Sequence, residues 1–256
     1  MAFHIPSSRA ARTAVVLVVG GLLVSGCAFT PAGRQKTASA DATVSDAVTA
    51  VELTGARHGS IEVTPGSGPG VRVRRTVHYR GETAPQPGQQ VTGGVLTFST
   101  GCSGSCYVDY RLEVPAAATV RLGNSSGRIT VRGVAGAELT SDSGAVTAEG
   151  IAGPLRVRTS SGRITAAGLT GPSAEVQSAS GDARLDFAQP PSSVVARTGS
   201  GDLTLEVPRA PYQLSVSTTS GDRDITLPAD PASPSRLSAT TTSGDVRIAP
   251  RGPGGA

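Results

Sequence analysis

The chain has 256 residues with no Trp, four Tyr, four Phe, 33 Gly and 18 Pro. Its core must therefore come mainly from Val, Leu, Ile and Ala, and the wealth of turn formers excludes a predominantly helical protein. With 23 Lys and Arg against 19 Asp and Glu the charge is too balanced to define a nucleic-acid binder, and the length suits one or two domains.

Residues 1–26 read as an export signal. "MAFHIPSSRAAR" carries Arg9 and Arg12 ahead of "TAVVLVVGGLLVSG", an apolar run shorter than a bilayer span. The segment "VSGC", Val24 to Cys27, resembles the bacterial lipobox, in which the signal is cut before the Cys and that Cys receives lipid. Several acyl chains on one residue give the multiple attachment that stable anchoring needs. The expected location is extracytoplasmic, held by lipid to the outer face of the cytoplasmic membrane within the bacterial cell envelope.

Residues 27–47, rich in Thr, Ala, Ser and Gly, are expected to form a flexible tether, with the folded domain at residues 48–250 and a disordered tail at 251–256. Within the domain, "VRVRRTVHYR" alternates so that Arg72, Arg74, Thr76, His78 and Arg80 share one face. Arg72, Arg74 and Arg80 are thus candidates for contact with an anionic partner, against the alternative of an ordinary solvated strand face. Further on, "TGCSGSCY" holds Cys102 and Cys106 in a Ser/Gly loop. In an exported protein these two thiols are expected to pair, closing a short loop worth about 2 kcal/mol by restriction of the unfolded chain.

From there the chain repeats. Ser-Gly recurs with glycines at Gly127, Gly144, Gly162, Gly181, Gly201, Gly221 and Gly244, spaced by 17, 18, 19, 20, 20 and 23 residues. Five and seven residues before each glycine the chain is always apolar, as in Leu122 and Val120 or Val176 and Ala174. Two and four residues after it the pattern is again apolar, as in Ile129 and Val131, with Arg223 the one exception. Period two on both sides of a turn means two strands per repeat, each with one face buried. "VELTGARHGSIEV" forms a degenerate eighth copy around Gly59.

The expected fold is all-β, a β-solenoid (single-stranded β-helix) of about seven to eight coils with Ser-Gly corners, a hairpin meander being the alternative for the same parity. The glycine is expected to supply a positive-φ corner and close coil approach, and the Ser hydroxyl to satisfy corner backbone groups. Stacked in chain order, Gly201 sits between Gly181 and Gly221, and the coils span about 35 Å. The residue after the glycine is Asp in the later copies, Asp182, Asp202, Asp222 and Asp245. These are expected as turn residues rather than as a metal site.

The recurring "SG-D/R-I/L-x-V/L" pattern and "YVDYRLEVP" after the Cys pair resemble the bacterial "putative adhesin" family of head-to-tail β repeats, the toastrack group, over roughly Val48 to Pro250. The resemblance implies single-stranded β-helices outside the cytoplasmic membrane, some accompanying envelope-stress membrane proteins, and it brings no catalytic motif. "GNSSG", Gly123 to Gly127, matches an esterase pattern by composition only, because strands flank it and no helix-forming segment follows.

The functional expectation is a non-catalytic surface scaffold for binding or adhesion. The alternative is an accessory role in envelope-stress sensing or envelope assembly, and a polysaccharide-cleaving enzyme is the weaker third reading. The partner would be a cell-envelope polymer or a membrane protein, with no cofactor and no metal. Replacing Cys27 with Ser is expected to shift the protein from the membrane fraction to the medium; cell fractionation with immunodetection checks this, and unchanged membrane retention contradicts it.

Overall fold

The structure, a computed structural model, describes residues 34–102 and 104–252. Among these the regular structure is entirely β, arranged in two long and mostly parallel sheets of eleven and ten strands. The repeat begins with β2 (Ala50–Ala56) and β3 (Ile61–Gly66). It resumes as β8 (Thr119–Asn124) with β9 (Ile129–Arg132), β10 (Gly136–Ser141) with β11 (Val146–Glu149), and β12 (Leu155–Thr159) with β13 (Ile164–Leu169). It continues as β14 (Ser173–Ser180) with β15 (Ala183–Phe187), β16 (Ser193–Ser200) with β17 (Leu203–Val207), β18 (Gln213–Ser220) with β19 (Arg223–Ile225), and β20 (Arg236–Ser243) with β21 (Val246–Pro250). In every pair the first strand lies in the ten-stranded sheet, the second in the eleven-stranded sheet, and the glycine falls between them.

The alternation read from the sequence is the alternation of burial. Val120 and Leu122 of β8 point inward with Arg121 outward, and Ile129 and Val131 of β9 complete the opposite wall. The two inner faces form one continuous apolar core, which Tyr110, Phe187 and Tyr212 join as its bulkiest fully buried side chains. Parallel register keeps columns intact: Leu122 lies beside Leu139, Leu139 beside Val157, and Val157 beside Val176.

Stacking departs from chain order at both ends. The final pair, β20 and β21, inserts between β16/β17 and β18/β19. Gly201 therefore stacks between Gly181 and Gly244, not between Gly181 and Gly221, and Gly221 lies outermost. The reason lies in the weakest copy. Arg223 occupies an apolar column, and an end position leaves all of β19 exposed, so its charge stays in water. Residues 226–235 carry Pro228, Pro231 and Pro234 and give the chain the extra length to step across the end. They are pinned there by buried Leu227 and by Asp230 N–H donating to Tyr212 O at 2.8 Å.

The other end breaks the parallel rule. Here β6 (Val95–Ser99) and β7 (Tyr107–Pro115) stack outside β2 and β3, while β4 (Val71–Tyr79), β1 (Lys36–Val44) and β5 (Gly88–Thr92) pair antiparallel as a closing layer. The turn from β5 to β6 is the two-residue Gly93-Gly94, with φ of 59° and 80°, a hairpin geometry only glycine enters easily at both positions. β1 corrects the tether expected at residues 27–47 over Lys36–Val44: Ala42 and Val44 face the core, and Asp41 pairs with Arg74 at 2.9 Å, while residues 27–33 lie outside the described residues. Small Ala and Thr at alternate positions bury too little to announce a strand locally, and the segment is ordered by the β4 edge it covers. Ten spacings of about 4.8 Å make the eleven-stranded sheet ~48 Å from edge to edge, longer than expected because of these added strands.

The corner glycines divide into two kinds. Gly181, Gly201, Gly221 and Gly244 have φ of 151°, 142°, 143° and 139°, whereas Gly127, Gly144 and Gly162 do not use positive φ at all. What all seven share is contact. A Cβ on Gly144 would overlap the carbonyl oxygen of Gly127, and one on Gly162 that of Gly144. Gly162→Ala is expected to lower stability by about 3 kcal/mol or more, on the scale of forced backbone displacement, while Gly252→Ala, which faces open space, leaves it unchanged. Urea unfolding of both variants measures the difference.

Candidate functional site

The repeat exposes three kinds of surface: the corner ridge, the outer face of the ten-stranded sheet, and the charged strands of the closing layer. On the ridge, Ser126, Ser143, Ser161, Ser180, Ser200, Ser220 and Ser243 are exposed, and the polar groups of the corner are bonded from within instead. Three residues before each glycine stands Asn124, Ser141, Thr159, Ser178, Thr198, Thr218 or Thr241, turned inward and, except for the half-buried Thr218 of the end strand, buried. Gly144 N–H donates to Ser141 Oγ at 2.9 Å and Gly162 N–H to Thr159 Oγ1 at 3.0 Å. Asn124 Nδ2 donates to Gly127 O at 2.6 Å.

In the later corners the direction reverses. Thr198 donates to Gly181 O, Thr241 to Gly201 O and Thr218 to Gly244 O, at 3.2, 3.2 and 3.0 Å. Apart from Ser178, whose buried Oγ is without a partner, the hydroxyl column thus serves whichever group each backbone geometry leaves free. The Asp residues follow the same logic. Asp182 Oδ1 accepts from Asp202 N–H at 3.2 Å, Asp202 Oδ1 from Asp245 N–H at 2.8 Å, and Asp245 Oδ1 from Asp222 N–H at 2.8 Å. These carboxylates act as turn acceptors from one strand pair to the next. Among the described residues no group of three or more His, Cys, Asp and Glu comes together as a metal site.

On the outer face of the ten-stranded sheet, one column alternates in sign over five neighbouring strands: Glu52, Arg121, Glu138, Arg156 and Glu175 stand side by side in register. Arg121 pairs with Glu138 at 3.5 Å, and Arg156 with Glu175 at 2.8 Å. Beside this column runs a shallow groove of about 680 Å³ floored by small or smooth residues, Thr119, Gly136, Pro154, Ser173 and Ser193. Each exposed pair contributes at most about 1 kcal/mol. Alternation instead specifies register, because a slip of one strand pair would set like charges opposite.

The arginines of the closing layer are already engaged. Arg72 pairs with Glu113 at 2.7 Å and Arg74 with Asp41, while His78 meets Asp109 at 2.8 Å and stacks on Tyr107 with ring centroids 4.4 Å apart. Arg80 is exposed just beyond the end of β4. Arg72, Arg74 and Arg80 therefore do not form an uncompensated basic face: two of the three face carboxylates on adjoining strands. Arg75, next in sequence, turns inward and donates to Pro87 O at 2.6 Å. Tyr110, its register partner, has its phenol pushed up to about 12 by burial.

Cys102 and Cys106 are joined by a disulfide with Cα atoms 5.6 Å apart. They close the loop from β6 to β7, at the place where seven other strand pairs carry Ser-Gly and β2/β3 carries His58-Gly59. Gly123 and Asn124 of "GNSSG" end β8, and β9 follows instead of the helix an esterase elbow requires. Cys27 lies outside the described residues.

A two-sheeted, mostly parallel β-repeat protein is thereby defined. The chain belongs to the Toastrack DUF4097 family, whose model matches residues 92–250. Among solved structures it is similar to a "putative adhesin" from Bacteroides fragilis at 14% identity and TM-score 0.48, covering 87% of this chain and 100% of that one. A "putative adhesin" from Parabacteroides distasonis aligns at 12% identity and TM-score 0.47, covering 84% and 97%. A "putative cell adhesion protein" from Clostridium sporogenes aligns at 12% and TM-score 0.35, covering 84% and 100%. No curated protein matches the chain.

Thr159→Val keeps the shape of the side chain but leaves the buried Gly162 N–H without its acceptor. The expected cost is about 1–3 kcal/mol, with Thr159→Ser close to wild type. Chemical unfolding midpoints of the two variants check this.

Proposed function

We propose that the chain is a non-catalytic binding scaffold of the bacterial cell envelope, a single β-solenoid of about eight coils held by a lipid on Cys27 to the outer face of the cytoplasmic membrane. Its partner is an extended cell-envelope polymer, bound along the outer face of the ten-stranded sheet. The observation that supports this most is the groove over Thr119, Gly136, Pro154, Ser173 and Ser193 beside the alternating Arg and Glu column. It is open, shallow and linear. A chain laid along it meets a small or smooth residue at each strand and the same pair of charges at every second one, about 9.6 Å for each full period of alternation. Such a surface recognises repetition rather than a single compact group, and its charged border offers both donors and acceptors to hydroxyl-rich or zwitterionic chains.

An accessory role in envelope sensing would place a membrane protein on the same face. Co-sedimentation of the purified chain with isolated cell-wall polymer tests the reading. Wild type is expected to co-sediment, Ser173→Trp, which fills the groove, to lose at least about tenfold in affinity, and Asp202→Asn on the corner ridge to behave as wild type. Absence of retention on wall polymer, together with crosslinking of the intact cell to one membrane protein, favours the accessory role.

A further inference from the structure

The two ends of the stack differ. At one end the edges are closed by antiparallel strands, β1 carrying Lys36 and Asp41 and β5 preceded by Pro87. Charges and Pro at an edge discourage further pairing. At the other end the outermost strands are β18 and β19. β18 reads "QLSVSTTS", eight residues without charge or Pro. Gln213 N–H donates to Ser235 O toward β20, so by alternation the N–H and C=O groups of Leu214, Val216 and Thr218 point away from the sheet. Leu214 and Val216 are only half-buried, and Ile225 of β19, at 40% exposure, is the exposed large hydrophobic among the described residues.

We propose that two copies of this chain dock through this end about a two-fold axis, β18 pairing antiparallel with β18 of the second copy. The edge is complementary to itself. With Val216 opposite Val216 of the second copy, Leu214 falls opposite its Thr218, and all of these are residues whose backbone groups are free. Outer-face residues then match as Ser215 with Ser217 and Gln213 with Thr219, so no like charges meet along β18. Val216 lies five residues before Gly221 and Ile225 four after it, so an axis through Val216 and normal to the sheets passes close to Ile225. The apolar residue of β19 is thereby covered by its own copy, while Arg223, two residues before it, keeps its guanidinium in water at the rim of the contact. An eight-residue edge of about 26 Å on a two-layer cross-section of about 20 Å buries roughly 1,000 Å² in total. That is the lower bound for a specific interface and belongs to the class of weak, reversible association. Residues 226–235 meet this edge at Tyr212, just before β18, through the bridge to Ala229 and the Asp230 N–H to Tyr212 O bond, while Leu214, Val216 and Thr218 beyond it stay half-exposed at the end of the stack opposite β1.

The test uses the full chain carrying Cys27→Ser, so that lipid does not drive association, in sedimentation over about 1–100 μM, a span that brackets weak, reversible self-association. A monomer–dimer equilibrium is expected, weakened at least tenfold by Val216→Lys, which places a charge at the axis. Hydrogen exchange provides a readout independent of that variant's stability: the amides of Leu214, Val216 and Thr218 should gain protection with rising concentration. A wild type that stays monomeric, a dimer unaffected by Val216→Lys, or exchange at these amides that ignores concentration overturns the proposal, as does open-ended growth beyond the dimer.

Discussion

The structure depends on one contact: backbone against backbone at the corners, where the glycine of one strand pair lies under the carbonyl of its neighbour without room for a single added carbon. Strands in both sheets can keep ordinary spacing only if the turns that join them stack equally close. Once the corner is that tight, a polar group facing it cannot be reached by water and must be bonded from inside. The buried column of Asn, Ser and Thr follows from that need, as does the Asp series where the backbone changes geometry. Apolar columns alone would make the sheets adhere; the corner fixes which strand pair sits on which.

The two corner types show how one repeat tolerates two backbones. Before Gly181 the hydroxyl accepts from the glycine N–H, and after it the hydroxyl donates to a neighbouring glycine carbonyl. A hydroxyl can do either, which a carboxylate or an amine cannot. The switch coincides with the appearance of Asp after the glycine, whose oxygen accepts the N–H of the Asp in the neighbouring corner.

The strand pairs, their inner residues and the turn glycines were legible because period two and a fixed dipeptide are local signals. Gly59 was legible too, since Ile61 and Val63 keep their places after it. The inward hydroxyl column was equally present in the sequence, in the position three before each glycine, but it reads as polar and so as solvent-facing until parity is followed one step further. The alternating Glu and Arg column was hidden differently: Arg121, Glu138, Arg156 and Glu175 become a pattern only when strands are laid side by side. β1 and the order of stacking at both ends were not legible, because they depend on which edge remains open and how far a loop reaches. The pairing of Arg72 with Glu113 is of that kind, joining residues 41 apart in sequence.

The inserted position of β20 and β21 changes how the molecule comes apart and comes together. In a solenoid whose chain order equals its spatial order, the last repeat is an end cap that frays first and can be lost with little harm. Here the last residues of the domain form an interior layer, flanked by β16 and β17 on one side and by β18 and β19 on the other. Truncation at the C-terminus would not shorten the stack but open a slot in it and strand the outermost pair. As the strands form in chain order, β18 and β19 can take their final neighbours only once residues 236–250 are available, so the outermost pair is the last to seat.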